Sequence, residues 1–582
     1  MKRKFVQIAA LALAAVLLVL SGGVAKVSAA PAGTGGRVIL VGLHHDGPYG
    51  TGSVEGLNLQ NEAGSGFQFG YYDSANRFVS LGYTSQTAVS VVETMNVWYG
   101  SYGGYLSYHT AVQSNVAVGE YHLQLPGTYA SFQEALGVAS RYPGGFAACI
   151  GGVYYARVGC YTTSAQALAA GIPGELCWTS EYGVNVVATG TSNILFQYDD
   201  RGAGSGLGVE PIQAGNERCS TWSKNNQYPG GFRFERINGG RLTVVNVVTF
   251  EDYIEGVVST EMSDSWPVEA LKAQAVAARS YAATLEAGTH SSTHFDICDG
   301  PHCQAYSGFT AAGSNTRAAV EQTAGLGVLY NGSPAQTFYY SSNGGASESV
   351  SNVWGSNQSL YPYLVGKEDP YEASSGVSNY WERTFTSAQI ISRVLSGYNV
   401  NGSIVSASIS SYTDAGNPKT ITFTSSGGNS YTVSSYKAFN GLGLPSFRFG
   451  FAGGSGASQP APAAPSVNVT VNGSAPVSGA SGLYAIDGNG SLSVLGEDVY
   501  VMTDSGAALL GQGGGQSAGQ GYPGGEWADS GWASNGSLTF AGRGWGHNIG
   551  LSQFGAKAMA QLGYTYLEIL QFYYTGIAVG YM

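Results

Sequence analysis

The sequence predicts an α+β protein: a β-rich body with one long alanine-rich helix, interrupted by a small α/β sandwich. Three observations predict it. Short apolar runs punctuated by Gly, Asn and Asp fill Arg37 to Val97, two strand-then-helix phrases lie between Glu120 and Gln197, and an alanine-rich stretch follows Pro267. At 582 residues the chain is long enough for several cores.

The run from Arg37 to Leu43 opens a first β-rich part, residues 37–119. Residues 120–197 form the sandwich. Tyr121 to Leu125 leads through Gly127 into a helix opening at Ser131, and Tyr155 to Tyr161 leads into a second opening at Ser164. Each serine hydroxyl can accept from an unpaired first-turn N–H. Two βα units with connecting strands make a two-layer sandwich inserted between β segments of a larger domain.

Strand character returns at Phe232 to Ile237 and Leu242 to Val248, with a turn at Asn238-Gly239-Gly240, so residues 198–452 resume the β-rich body. Pro267 suits a first helical turn and Glu269 complements its dipole. Val268, Leu271, Ala275 and Ala278 fall on one face, and Gly288 stands past the expected end. The Gly/Ser/Pro/Ala stretch 453–466 reads as a linker or long loop before a C-terminal part, 467–582. A second glycine-rich stretch, Gly511 to Gly525, reads as a surface loop.

Residues 1–30 read as an export signal: Lys2, Arg3 and Lys4, an uncharged run from Phe5 to Leu20, then small residues that fit cleavage after Ala29 or Ala30. A retained N-terminal anchor is the alternative, and would be the chain's one link to a membrane. The protein is thus expected outside the cytoplasm, secreted or in the cell wall. With a net charge of −12 and no Lys/Arg cluster after the signal, the chain lacks the basic footprint of a nucleic-acid binder. Its 39 tyrosines suit contact with the faces of neutral sugars, and equally suit exposed sheet rims. Six cysteines in an exported chain point to disulfides, whose pairing spacing does not reveal.

The segment richest in chemistry runs from Phe250 to Tyr281. Glu261 is expected in a short connection between Val257-Val258 and Met262…Trp266, where lost hydration would favour the protonated carboxyl and make it a proton donor. Glu251, Asp252 and Glu255 compete on sequence alone, although solvation or pairing with Arg or Lys is the commoner fate of such residues.

Three ordered blocks carry a resemblance. They are Glu251-Asp252-Tyr253 through Glu261-Met262 and Trp266-Pro267 to Arg279-Ser280-Tyr281; Tyr340-Ser341-Ser342-Asn343-Gly344-Gly345 with Glu348 and Val353-Trp354-Gly355; and Gly542-Arg543-Gly544-Trp545-Gly546-His547-Asn548-Ile549-Gly550-Leu551-Ser552-Gln553-Phe554-Gly555-Ala556. Together they resemble the SpoIID/LytB family. Asn548 and Leu551 depart from the family's usual Gly and Met, and Asn tolerates the left-handed conformation a Gly there would supply. The sandwich, with its phrase Tyr155-Ala156-Arg157-Val158-Gly159-Cys160-Tyr161, is similar to the SPOR domain that binds stripped glycan strands.

The resemblance implies a peptidoglycan lytic transglycosylase that cleaves between N-acetylmuramic acid and N-acetylglucosamine in peptide-free glycan strands and leaves a 1,6-anhydro end. Glu261 matches the family's catalytic glutamate. Gln304, Tyr306, Tyr340, Ser341 and His547 are candidate sugar contacts, each equally readable as structural. The resemblance also implies zinc in the loop holding Cys298, His302 and Cys303, with His294 as the preferred fourth ligand and His290 as the other choice. A Cys298–Cys303 disulfide competes with that site. Two functions stay open: a strand-cutting enzyme, or a wall-binding enhancer of a separate cell-wall amidase.

Overall fold

A computed structural model describes residues 36–47, 50–61, 63–215, 218, 220–285, 290, 293–452, 484–486, 492–494, 500–503, 506–509 and 527–582. The expected signal (1–30), linker (453–466), glycine-rich loop (511–525), Gly288 and Cys219 lie outside them. The described chain forms two compact units: residues up to Asp264 with Leu285–Gly325, and Ser265–Thr284 with Leu326–Met582. No described helix is long and apolar enough to cross a membrane.

The first unit holds two large sheets and a small one of three strands, Tyr105–His109, Val97–Tyr102 and Ala117–Val118. Seven strands run edge to edge as Ile297–Cys298, Val38–His44, Thr243–Thr249, Gly231–Glu235, Leu207–Gln213, Gly64–Tyr72 and Phe78–Thr84. The expected hairpin sits at their centre, its turn using Asn238 at φ 52°. Phe67, Phe69, Phe232 and Phe234 are buried there, each contributing about 2–3 kcal/mol relative to exposure.

The second sheet has ten strands and contains the predicted sandwich. Glu175–Cys177, Tyr121–Gln124, Val153–Tyr161 and Gly145–Ile150 are antiparallel neighbours, which in chain order reads 4-1-3-2 for a β-α-β-β-α-β unit. The sheet does not stop at residue 197. Ile194–Asp199 and Val184–Ala188 carry it on to Ala88–Glu93, so the insert shares a sheet with the β-rich part. Ser131 caps the Phe132–Ala139 helix as expected, whereas the second helix is capped by Thr163, one residue before Ser164, in a reciprocal box with Gln166.

The expected disulfides are absent among the described residues: Cys149, Cys160, Cys177, Cys298 and Cys303 are free. Cys149 pairs across its strand with Tyr154, which places Cys160 on the neighbouring strand ~20 Å further along. Cys177 lies two strands from Cys160, at ~9.5 Å, too far for a bridge.

In the second unit the alanine-rich helix spans Val268–Leu285 and is buried nearly all round, not along one face. Ala270, Ala273, Gln274, Val276, Ala277 and Arg279 join Leu271, Ala275 and Ala278 inside, while Val268 stays half-buried. Buried Arg279 is satisfied by donating to the carbonyls of Leu326 (2.7 Å) and Ala275 (3.5 Å). A separate core gathers Trp381, Ile390, Phe423, Phe449 and Phe540 between the sheet containing Ile404–Tyr412 and that containing Ser537–Arg543.

Candidate active site and metal centre

Glu261 does not stand in a connection. It is the last residue of a helix, Phe250–Glu261, that Thr249 caps by accepting from the Asp252 N–H. Tyr253 through Ser259 are buried, so Glu261 ends a rigid, anchored element and is itself half-buried. The helix dipole disfavours negative charge at this end, and the last turn contains no basic residue. Gly256 lets the helix approach the Tyr306 ring: a Cβ there would lie 2.4 Å from it.

The three competing carboxylates have other partners. Arg218 bridges Asp252 and Glu255, at 2.8 Å for the latter, and Arg317 lies 3.5 Å from Glu255. Glu251 accepts from the Gly325 N–H at 3.0 Å. The next acid in sequence, Asp264, accepts from the Thr316 N–H (2.7 Å) and hydroxyl (2.8 Å) near the start of the Ser314–Gln322 helix. Of this group only Glu261 closes a helix at a partly open surface.

Gln304 and Tyr306 are buried behind that helix. Tyr253 donates to Gln304 Oε1 (3.0 Å), Tyr306 donates to Asn246 Oδ1 (2.8 Å), and the two tyrosine rings lie 5.0 Å apart. Burial pushes the Tyr306 hydroxyl well above its ordinary range. Both side chains pack and position the helix, and neither presents itself to a ligand.

The other three sugar-contact candidates belong to the second unit, where the two remaining motif blocks lock together. Tyr339–Tyr340 pairs in parallel with Leu551–Ser552, and Ser342 bridges Trp545. Tyr340 is buried, Ser341 half-buried, and the half-buried His547 ring lies 5.2 Å from Tyr340 and 5.1 Å from Trp354. His547 Nδ1 accepts from the Ile549 N–H, and desolvation pulls its pKa down to about 4, so it is a neutral imidazole near pH 7. Trp266 packs on Phe554 in this unit, with the Lys557 ammonium 5.2 Å from the indole centre.

Sequence reasoning missed the buried carboxylates beneath this loop. Glu372 accepts from the Ser342 and Ser552 hydroxyls and the Asn343 and Gly344 N–H groups, and Asp369 accepts from Tyr573 and the Asn343 amide. Desolvation raises the pKa of both. Asn548 completes the lock at φ 61°, donating to the Asn343 and Ala346 carbonyls and accepting from the Phe447 N–H. Asn548→Ala should therefore cost about 2–4 kcal/mol in denaturant unfolding, because three buried backbone groups lose their partner and Ala resists positive φ. Unchanged stability would contradict this role.

The Cys/His loop corrects one expected ligand. The side chains that converge are His290, Cys298, His302 and Cys303, with all donor atoms within 4.8 Å of one another. His294 is absent from this group: it adopts φ 59°, and its Nδ1 sits 2.8 Å from Glu235 Oε1. Two sulfurs and two imidazoles around zinc would be separated by ~3.5 Å across a tetrahedron. His290 Nε2 to Cys303 Sγ is 3.3 Å, Cys303 Sγ to His302 Nδ1 is 3.5 Å and Cys298 Sγ to His302 Nδ1 is 3.7 Å, so the residues fit a metal. A hydrogen bond from Cys303, with others from His45 and His302, pulls the Cys298 thiol far down, while Cys303 is pushed up. A metal ion would bind both sulfurs as thiolates.

Residues 238–330 match the SpoIID family, described as Stage II sporulation protein. The chain is 30% identical over 329 residues to the amidase enhancer of Bacillus subtilis (strain 168), covering 56% of this chain and 39% of that protein. It is 36% identical over 140 residues to an uncharacterized protein of Brachyspira hyodysenteriae, covering 24% and 37%. It is 22% identical over 350 residues to stage II sporulation protein D of B. subtilis, covering 58% and 75%. The chain thus spans about two fifths of the first two relatives' length. With the helix ending at Glu261 and the Cys/His loop both inside the matched residues, the chain carries a domain of the SpoIID family.

Proposed function

We propose that this protein acts outside the cytoplasm on peptidoglycan, cutting peptide-free glycan strands as a lytic transglycosylase with Glu261 as its acid and base. The observation that carries the reading is the place of Glu261: a half-buried carboxyl on the last residue of an anchored helix, where the dipole disfavours negative charge. Glu261 first gives its proton to the glycosidic oxygen as the C1–O bond of N-acetylmuramic acid breaks. The sugar's 6-hydroxyl oxygen then bonds to C1, and its proton returns to the carboxylate. Because this nucleophile is intramolecular, no second carboxylate is required.

Zinc is the metal we assign to His290, Cys298, His302 and Cys303. Four protein ligands leave no position for a reacting water, so the ion would brace the loop and play no part in the chemistry. In the same reading the β-α-β-β-α-β segment retains stripped strands. The test is to incubate the full chain with peptide-free strands and with intact wall. Sedimentation with the stripped strands and release of 1,6-anhydro ends are expected. Sedimentation without release would favour the second reading, an enhancer of a wall amidase, which the 30% identical amidase enhancer supports.

A further inference from the structure

His294, expected as a metal ligand, occupies a different site. It lines a cavity of about 200 Å³ in the first unit, together with Tyr182, Tyr198, Asp200, Glu235 and Arg236. We propose that this cleft is a further carbohydrate site, separate from the Glu261 helix and the strand-retaining segment, binding one neutral sugar ring through His294 and Tyr182.

The chemistry follows from which polar atoms already have partners. Asp200 accepts from the Gly202, Ser205 and Gly206 N–H groups and folds its own loop. Arg236 donates to the carbonyls of Gly239, Gly240 and Gly183. Tyr198 shares its hydroxyl with Ser205 at 2.8 Å. Asp200 and Arg236 are thus satisfied within the wall, and the two carboxylates there, Asp200 and Glu235, repel an anion. What faces the cleft is the half-exposed His294 ring, whose remaining polar atom is Nε2, and the half-buried Tyr182 ring.

Glu235 orients that imidazole. Its side chain is 8% exposed, Oε1 meets His294 Nδ1 at 2.8 Å, and buried Oε2 makes no hydrogen bond, its nearest cation being Arg233 Nε at 3.9 Å. The backbone holds His294 at φ 59°, in the left-handed region that His, like Asn and Asp, enters more often than other side chains, and its carbonyl accepts from Arg233. Such geometry fixes the ring against the cleft without lending it to the metal centre.

A hydroxyl both donates and accepts, so it suits Nε2 whether or not that nitrogen carries a proton. A tyrosine face beside a hydrogen-bonding imidazole suits the apolar face and polar rim of a sugar. The cavity holds one ring and not an extended chain, being smaller than the ~300–1,000 Å³ of drug-sized pockets. None of these groups belongs to the Glu261 helix, so the inference does not depend on strand cutting.

The test uses the full chain labelled at the rings of its 8 histidines, titrated with N,N′,N″-triacetylchitotriose. The His294 signal is identified by its loss in His294→Gln. We expect that signal to shift saturably and equally in wild type and in Glu261→Gln, with Tyr182→Ala weakening the apparent affinity about fivefold or more. A stationary His294 signal, whether or not other rings respond, overturns the proposal. So does an unchanged affinity in Tyr182→Ala.

Discussion

Glu261→Gln should lower the rate of 1,6-anhydro end formation by about 10²–10⁴-fold while changing folding stability by less than about 0.5 kcal/mol. The substitution keeps the side chain's volume and polarity and removes the proton that must move. The helix is anchored by buried Tyr253 to Ser259 and by the Thr249 cap at its start, and Gln keeps an acceptor oxygen in the carboxyl's place. Glu255→Gln makes the contrast. That side chain is buried between Arg218 and Arg317, so its loss would act through stability and lower every property together. Rates from single-turnover digestion, with denaturant midpoints for both variants, separate the cases. Full activity in Glu261→Gln would remove it from the reaction. Equal inactivity in wild type, on strands that the protein visibly binds, would move the assignment to the enhancer.

The segment around Glu261 was readable because its signals are local. Pro267, the alanine run and the hairpin turn each follow from a few neighbours, and the structure bears them out. The helix that ends at Glu261 is not legible in the sequence, because Gly256 and the β-branched Val257, Val258 and Thr260 are weak helix formers; packing against Tyr306 overrides them. The cap at Thr163 is the same kind of miss by one residue, since adjacent hydroxyls offer equal local signals. Glu372 and Asp369 carried no signal at all. They lie about thirty residues from the loop they hold, and only the fold brings them beneath Ser342 and Asn343. The disulfide expectation came from the even cysteine count and the compartment, and strand register keeps Cys149, Cys160 and Cys177 from bridging one another. Closeness in sequence likewise favoured His294 over His290 as a ligand, whereas the turn at His294 directs its ring to Glu235.

That last exchange makes the metal centre sharply testable. His290→Ala and Cys298→Ser should each reduce bound zinc from one per chain to near zero, while His294→Ala should leave it at one; elemental analysis reads all three. The structural effect should be large. Cys298 ends the short strand Ile297–Cys298, which pairs in parallel with Val38–His44 at the edge of the seven-stranded sheet, and Cys303 leads directly to Gln304 and Tyr306 behind the Glu261 helix. Structural zinc sites in small peptides supply about 10–16 kcal/mol of apparent folding free energy. Here the surrounding sheet already orders most of the loop, so a chelator should lower stability by several kcal/mol without unfolding the whole unit. Strand cutting should fall as the Tyr253–Gln304 and Tyr306–Asn246 bonds loosen, and recover when zinc is restored. Two protected thiols with no metal in the wild type would instead establish a Cys298–Cys303 disulfide. Reductant, and not chelator, would then loosen the helix that ends at Glu261.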